Sequence, residues 1–309
     1  MAPAKTALVR FTQPAARSVW DGARQGLALA RRSLTAVAER ALGDDFEARA
    51  AVLAERVRER GGDPFGMDPE AAKHAVMVCA FFHRLYFRTE VVGIEHVPRG
   101  RVLLVANHSG QVPIDGAVIG SALFLDAPEP RMVRAMVEKW SQTLPFVSTF
   151  FQRVGQVVGV PENARLLLSM EEPLLVFPEG TRGISKPFTR RYQLQAFGNG
   201  FMRLAIETGT PVVPIAVIGA EEQYLNVGNL EVLAKTLGMP VFPLIPQVLV
   251  PGGQLPLPTK YRLYFGEPMS FDGDPDDDDG AIEEKVWLVR QTIQSMINRG
   301  LKERRGIFH

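Results

Sequence analysis

The sequence predicts an α/β fold, with a mixed and mostly parallel sheet flanked by helices and an N-terminal helical extension. Strand-like and helix-like segments alternate from about residue 102 onward, which is typical of helices that cover the faces of a sheet. Hydrophobic residues make up 46% of the 309 residues, enough for a substantial core. The N-terminal stretch is rich in Ala and Arg, has a helical pattern, and ends at a Gly-Gly-Asp-Pro sequence.

Each predicted element depends on the local residue pattern. Runs of aliphatic residues predict strands over residues 102–106, 131–137, 154–160, 173–177, 212–218 and 260–265. Longer periodic segments predict helices over residues 69–87, 115–125, 143–151, 161–170, 194–208 and 281–304. The helix at Pro69 has a clear start signal, with Asp68 as its cap and proline in its first turn. Residues 1–62 are therefore a predicted N-terminal helical region, and residues 63–309 are a predicted α/β domain.

The N-terminal region is basic and amphipathic. Residues 1–42 contain seven Lys and Arg residues but only two acidic ones. Apolar residues recur every seven positions and arginines recur beside them; the two sets are Trp20, Leu27, Leu34 and Ala41, and Arg10, Arg17, Arg24 and Arg31. Such a helix can lie on an anionic bilayer surface. It can equally pack on its own protein or pair with another helix.

Composition limits the classes of partner. The formal net charge of +1 gives the whole molecule no strong attraction to a polyanion, so no nucleic-acid partner is expected. The single cysteine, Cys79, excludes an internal disulfide. No run approaches the ~18 apolar residues of a membrane-spanning helix, so any membrane contact should be peripheral. The N-terminus lacks a signal-peptide pattern, and we expect the cytoplasmic face of a membrane as the location.

Two further segments have unusual composition. Residues 239–258 are apolar and dense in proline, which prevents a regular helix. They either face a membrane or acyl chain, or simply pack into the protein. The acidic run between Asp272 and Asp279 does not have the spacing of a calcium loop, and we interpret it as a solvated loop. The sequence also contains no H-E-x-x-H motif or cysteine cluster, so no metal is expected.

A histidine and a carboxylate follow the first buried strand. His108 lies two residues after that strand, and Asp115 lies at the predicted start of the next helix. Imidazole titrates near neutral pH and can remove a hydroxyl proton, while a carboxylate can fix its tautomer and stabilise its charged form. Asp115 could instead only cap the helix, and His108 could be a core residue. Ser109 is not in a nucleophile-elbow motif.

A second motif, Glu179-Gly180-Thr181-Arg182, follows the strand predicted at 173–177. Gly180 allows a backbone turn to approach a ligand closely. Arg182 supplies a permanent cation whose geometry suits phosphate oxygens, and Lys186 adds a second positive charge nearby. Glu179 could orient Arg182 or accept a hydrogen bond from a substrate hydroxyl. Because both motifs follow predicted parallel strands, they should meet at one edge of the sheet.

Together these motifs resemble those of the glycerolipid acyltransferase superfamily, which includes glycerol-3-phosphate and lysophosphatidic acid acyltransferases. The string Phe177 to Arg182 matches that family's glutamate-glycine-threonine-arginine block. Weaker similarities lie around Lys139, Phe151 to Gly155, and Pro211 to Pro214, so the resemblance covers roughly residues 90–270. The family usually spaces its histidine and aspartate by four residues, whereas six lie between His108 and Asp115.

The resemblance implies an acyl transfer from acyl-CoA or acyl-ACP to the hydroxyl of a phosphorylated glycerol-based acceptor. His108 would be the general base, supported by Asp115, and the acceptor phosphate would bind Arg182 with Lys139 or Lys186. The donor thioester is a co-substrate, and no cofactor is expected. Residues Gly198 to Gly219 also resemble neutral-lipid acyltransferases.

Three alternatives to this reaction remain open from the sequence. The acceptor could be a neutral alcohol such as diacylglycerol or a long-chain alcohol. The chain could be a non-catalytic protein that binds a lipid surface through its basic helix and its proline-rich segment. It could also be a hydrolase in which His108 activates water.

Overall fold

The computed structural model describes residues 36–109, 114–139, 146–236 and 241–309. The chain divides into two compact units, Met1–Arg40 and Ala41–His309. In the first unit the described residues, 36–40, are helical. The amphipathic pattern predicted around Trp20 lies outside the described residues.

The second unit is built on a seven-stranded sheet. The strands in chain order are β1 Glu90–Val92, β2 Val102–Ala106, β3 Arg134–Val137, β4 Val157–Val158, β5 Pro173–Val176, β6 Val212–Ile218, β7 Gly228–Asn229, β8 Pro243–Leu244 and β9 Arg262–Phe265. Their order in the large sheet is β1-β9-β6-β2-β5-β3-β4, and β7 and β8 form a separate antiparallel pair. The five strands from β6 to β4 are mutually parallel, whereas β9 pairs antiparallel with β6. The predicted mixed, mostly parallel sheet is confirmed.

Helices flank this sheet. They are α1 Phe46–Glu59, α2 Pro69–Ala80, α3 Ile114–Leu125, α4 Val147–Arg153, α5 Pro161–Ser169, the single turn α6 Thr181–Ile184, α7 Gly200–Thr208, α8 Glu231–Thr236 and α9 Asp279–Glu303. A π-helical turn, Phe81–Tyr86, continues α2. The carboxylate of Asp68 accepts hydrogen bonds from two backbone N–H groups at the start of α2, as its cap pattern predicted.

The alternating side chains of β2 show how the sheet is buried on both faces. Leu103 and Val105 pack in one apolar layer with α5, α7 and α9. Val102, Leu104 and Ala106 pack in the other layer with α3. All five side chains are fully buried, as expected for the central strand of a parallel sheet. The residues after β2 are therefore attached to a strand that is buried on both faces.

Helix α1 packs its residue Phe46 against α2 and α3, and the compact unit that contains it runs from Ala41 to His309. The division into residues 1–62 and 63–309 stays a prediction. Two features differ from the sequence-based predictions. The helix predicted from residue 194 begins at Gly200. Residues 194–199 instead run beside the turn at Glu179, and the N–H of Gln195 donates to its carboxylate. The short strands β1, β7 and β8 were not predicted.

Candidate active site

The two sequence motifs meet at one edge of the sheet. Strands β2 and β5 are parallel neighbours in which Val105 lies opposite Val176. The segments that follow the two strands leave the sheet at the same edge, which brings the turn at His108 against the turn at Glu179. This is the edge at which open α/β sheets commonly place their ligands.

His108 and Asp115 form a hydrogen-bonded pair. Nδ1 of His108 lies 2.8 Å from Oδ2 of Asp115, so the six-residue spacing does allow the two side chains to meet. The Asp115 carboxylate is fully buried at the start of α3, and it also accepts hydrogen bonds from the backbone N–H groups of Ser109 and Gly116. These hydrogen bonds to both oxygens hold the Asp115 carboxylate in one orientation. Because the carboxylate accepts a hydrogen bond from the ring, it favours the His108 tautomer that carries its proton on Nδ1.

The outer face of the imidazole is open. The His108 side chain retains 15% of its exposure, and its Nε2 has no hydrogen-bond partner among the described residues. The ring stacks on Phe177, with ring centroids 4.1 Å apart and an interplanar angle of 21°. The ring is thus fixed on one edge by Asp115 and on one face by Phe177. The remaining nitrogen is available to take a proton from a bound hydroxyl.

The backbone of this turn is fixed from both sides. The side-chain amide of Asn107 pairs with the backbone of Val217 in β6, donating at 3.0 Å and accepting at 2.7 Å. The N–H of His108 donates to Oε1 of Glu179 at 3.1 Å. Gly183 allows the turn at Glu179 to pack closely against the turn at His108, because a Cβ built on it would lie only 3.1 Å from the Cβ of His108. The position of His108 therefore depends on both neighbouring strands.

Glu179 has protein partners on both carboxylate oxygens. It is buried, and its Oε2 accepts from the N–H of Gln195 at 2.8 Å and lies 3.2 Å from Nζ of Lys186. Its observed partners are therefore the His108 turn and the segment before α7, and no contact with the Arg182 side chain is present. Gly180 has a positive φ of 55°, and the space where a Cβ would be is open. Glycine is therefore favoured here by the backbone conformation and not by a lack of space for a side chain. Thr181 begins α6 directly after it.

The predicted cations fall into two groups. Arg182 is exposed, and its guanidinium has no ion-pair partner among the described residues. Lys139 is also exposed and follows β3, the neighbour of β5, at the same edge of the sheet. Lys186 is different, because it is buried between the carboxylates of Glu179 and Glu221. Its charge is already compensated inside the protein, so of these three cations Arg182 and Lys139 are the two that face solvent.

A small cavity of about 20 Å³ lies beside the turn and is bordered by Ser109, Lys186 and Tyr224. This volume is close to that of one water molecule. Ser109 is buried and its hydroxyl lies 3.5 Å from Asp115, on the carboxylate side of the pair. The observed contact of this hydroxyl is thus with Asp115, and no hydrogen bond joins it to His108 Nε2 in the part of the chain that the structure describes.

Three residues in or beside the site were missed from the sequence. Asn107 and Phe177 directly flank the motifs, but nothing in their type distinguishes a residue that holds the turn from an ordinary neighbour. Glu221 could have been suspected, because a carboxylate just after the hydrophobic strand β6 lies at the same sheet edge.

Comparisons with known proteins indicate the family of the chain. Residues 88–218 match the protein family described as Acyltransferase. An uncharacterized protein of Mycobacterium tuberculosis (strain ATCC 25618 / H37Rv) is 37% identical over 80% of this chain and 71% of its own length. A Gallus gallus protein named DGAT1/2-independent enzyme synthesizing storage lipids is 24% identical over 71% of this chain and 62% of its own length.

Two bacterial acyltransferases are also similar. A probable 1-acyl-sn-glycerol-3-phosphate acyltransferase of Mycoplasma pneumoniae is 25% identical over 47% of this chain and 54% of its own length. The crystal structure of the 1-acyl-sn-glycerophosphate acyltransferase PlsC from Thermotoga maritima superposes with a TM-score of 0.50 at 20% identity. The superposition covers 92% of this chain and 90% of PlsC. At that identity the likeness shows a shared fold.

Proposed function

The chain belongs to the glycerolipid acyltransferase superfamily, and on that premise we propose the reaction and substrates that follow. The protein transfers a fatty acyl group from acyl-CoA or acyl-ACP to the hydroxyl of a phosphorylated, glycerol-based acceptor such as lysophosphatidate or a lysophospholipid. One observation carries this proposal: the open nitrogen of the His108–Asp115 pair lies at the same sheet edge as the unpaired cation of Arg182.

In the proposed mechanism His108 acts as general base. Its Nε2 removes the proton of the acceptor hydroxyl as the oxygen attacks the thioester carbonyl, and Asp115 stabilises the imidazolium that forms. The tetrahedral intermediate then collapses by breaking the carbon–sulfur bond, and the imidazolium returns the proton to the leaving thiolate. Backbone N–H groups of the surrounding turns would stabilise the oxyanion. The acyl group passes directly from sulfur to oxygen.

We assign the acceptor phosphate to Arg182, with Lys139 as a second cation. The guanidinium of Arg182 has no counter-charge among the described side chains, and a phosphate would supply one with suitable bidentate geometry. Lys139 follows the next strand along the same edge and is exposed. We do not include Lys186, because an anion would have to displace one of its two buried carboxylate partners.

The protein would take its acceptor from a membrane surface, on the cytoplasmic face in our proposal. No helix in the described ranges is both long and apolar enough to cross a bilayer. Residues 241–257 contain no charged side chain and expose a group of large apolar ones, namely Leu244, Val248, Leu249, Val250 and Leu255. An uncharged, exposed apolar surface of this kind favours contact with lipid.

The surface formed by residues 241–257 is linked to the catalytic edge. Strand β8 within it pairs with β7, and Asn226 before β7 donates hydrogen bonds to the backbone carbonyls of Ser185 and Lys186. The segment is therefore anchored a few residues beyond Arg182. A lipid surface that contacts it would lie close to the proposed acceptor site.

The central experiment is an acceptor panel assayed with labelled acyl-CoA and acyl-ACP and with mass-spectrometric identification of products. His108→Ala should lower turnover by a factor on the order of 10² or more, because it removes the base. His74→Ala is a matched control, since this histidine is exposed on α2 and its ring contacts the backbone carbonyl of Glu70. Near wild-type turnover in His108→Ala would exclude the proposed mechanism.

Arg182→Ala tests the class of acceptor. It should mainly weaken the apparent affinity for a phosphorylated acceptor, because the substitution removes the proposed phosphate contact. Arg99→Ala serves as the control, since Arg99 is an exposed arginine that precedes β2 and so lies toward the opposite edge of the sheet. An unchanged affinity in Arg182→Ala would contradict this assignment.

A neutral acceptor is the second candidate. The observation in its favour is the similarity to the Gallus gallus protein whose name refers to storage lipids. Diacylglycerol and a long-chain alcohol therefore belong in the same panel. Esterification of these alcohols with no dependence on Arg182 would favour the second candidate over the first. Binding to lipid vesicles without acyl transfer from any donor would indicate a non-catalytic lipid-binding protein.

A further inference from the structure

A buried ion cluster lies directly behind the catalytic turn. The ammonium of Lys186 is 3.2 Å from Oε2 of Glu179 and 3.0 Å from Oε1 of Glu221. The side chains of the three residues are 4%, 0% and 5% exposed, respectively. The cluster joins the turn after β5 to the turn after β6 through a single cation.

The outer oxygens of this cluster are used as backbone acceptors. Oε1 of Glu179 accepts from the N–H of His108, and Oε2 of Glu221 accepts from the N–H of Tyr192 at 2.8 Å. Every carboxylate oxygen in the cluster thus has a donor or a cation beside it. A chain of contacts runs from the end of β6 through Lys186 to the backbone of the catalytic histidine.

The cluster has one more negative charge than positive charge. Burial raises the pKa of Glu221, and the nearby Lys186 acts in the opposite direction by stabilising its carboxylate. Arg191 and Tyr224 line the adjoining cavity; Nε of Arg191 lies 3.6 Å from Oε1 of Glu222, and the Tyr224 hydroxyl donates to the backbone carbonyl of Gln254. The next acidic residue, Glu222, pairs instead with Arg304. Lys186 is therefore the cation that keeps Glu179 and Glu221 together.

Packing alone does not account for such a cluster. Burying charged groups carries a desolvation penalty, and well-packed apolar residues of similar volume often stabilise a protein equally well or better. Apolar residues cannot accept a hydrogen bond from the N–H of His108. A carboxylate can do so, and the contacts of this cluster hold that carboxylate in a fixed position. The contacts of this cluster are those needed to position the base.

We propose that Lys186 is a positioning residue: it offsets the repulsion between the carboxylates of Glu221 and Glu179, and so lets Glu179 hold the backbone of His108 in its catalytic position. The proposal deepens the proposed acyl transfer and rests on it for its kinetic test. Neither Lys186 nor Glu221 touches the substrate in this arrangement. Lys186 contributes a positive charge between the two carboxylates, which keeps the Glu179 carboxylate directed at the His108 N–H.

The test uses full-length Lys186→Met and the double variant Lys186→Met/Glu221→Gln. Without the lysine, two buried carboxylates remain close to each other, and they can do so only while one of them holds a proton. As the pH rises that proton is lost, the two charges repel, and Glu179 moves away from His108. In the double variant the second charge is absent, so the repulsion does not arise.

The pH profile of kcat is the main readout. The kcat of Lys186→Met should be about tenfold or more below that of wild type at pH 8.5, and the difference should be smaller at pH 6. A small displacement of a reacting group is enough to lower the rate by this much. The double variant should recover most of the activity lost at pH 8.5. KM for the acceptor should change little in either variant, because neither residue contacts it. Lys302→Met, at an exposed lysine of α9, should behave as wild type throughout.

A second readout does not need activity. Hydrogen–deuterium exchange at the His108 amide should be about tenfold or more faster at pH 8.5 in Lys186→Met and near the wild-type rate in the double variant, because the N–H loses its acceptor only in the former. If Lys186→Met does not fold, Glu221→Gln alone should leave kcat within about threefold of wild type, because one carboxylate still balances the lysine. A larger loss in that variant would overturn the charge-balance argument.

The outcomes separate this proposal from the proposed function. A wild-type protein with no acyl transfer would refute the proposed function, and the exchange rates would still test the cluster. An active wild type with an unchanged pH profile and unchanged exchange in Lys186→Met would overturn the positioning role alone. A double variant no better than the single variant would do the same.

Discussion

Replacing Gly183 with alanine should push the two catalytic turns apart without removing any polar group. A Cβ at this position would lie 3.0 Å from the Cβ of Glu179 and 3.1 Å from both the Cβ and the carbonyl oxygen of His108. Ordinary contacts of this kind are about 3.5–4.0 Å, so the turns must separate by roughly half an ångström. A displacement of about 1 Å can lower the rate by about 10², so half of it should lower kcat by about tenfold.

The assay compares kcat and the midpoint of urea unfolding in Gly183→Ala and Gly120→Ala. The first variant should lose about tenfold in kcat and about 1–3 kcal/mol of unfolding free energy through overpacking. The second is a matched control, because a Cβ on Gly120 of α3 meets only Val133, at 3.8 Å. Wild-type kcat in Gly183→Ala would refute the idea that close packing of these turns positions His108.

Three further substitutions test other parts of the structure. Asp115→Asn should lower kcat by a factor on the order of 10² or more, because an amide cannot accept from all the N–H groups around this site; wild-type kinetics would argue against a supporting carboxylate. Asp68→Ala should reduce the free energy of unfolding by about 1 kcal/mol through loss of the α2 cap, measured by urea denaturation, with kcat unchanged. Ile293→Ala in α9 should cost about 2–5 kcal/mol in the same measurement, since this side chain is fully buried; a cost below 1 kcal/mol would contradict its place in the core.

The central strands and their site-bearing turns were predictable because one local rule governs them. Val102–Ala106 is an uninterrupted aliphatic run, and Val212–Ile218 is aliphatic apart from Pro214. Such runs are typical of strands buried on both faces, and both strands were predicted with their observed bounds. Placing His108 and Glu179 at the same sheet edge then required only that the strands be parallel. No rule of spacing determines whether the side chains of His108 and Asp115 meet across the six residues between them.

Other features depend on contacts between residues distant in the chain. Residues 194–199 have apolar spacing that suits a helix, but the N–H of Gln195 is used by the carboxylate of Glu179. The partners of Lys186 lie 7 and 35 residues away, so its burial could not be read from a basic local sequence. The short edge strand β1 pairs with β9, whose residues follow more than 160 positions later. Local patterns carry no information about such pairs.

The pairing of β2 has a consequence for how the protein is made. Its neighbours are Pro173–Val176 and Val212–Ile218, so the middle of the sheet cannot close until the ribosome has released the chain well past residue 218. Contacts so distant in sequence form slowly, and an aliphatic strand is prone to aggregate until it has paired with its neighbours. The histidine turn should consequently be among the last parts to become ordered, and nascent chains that end before β6 should depend on chaperones to stay soluble.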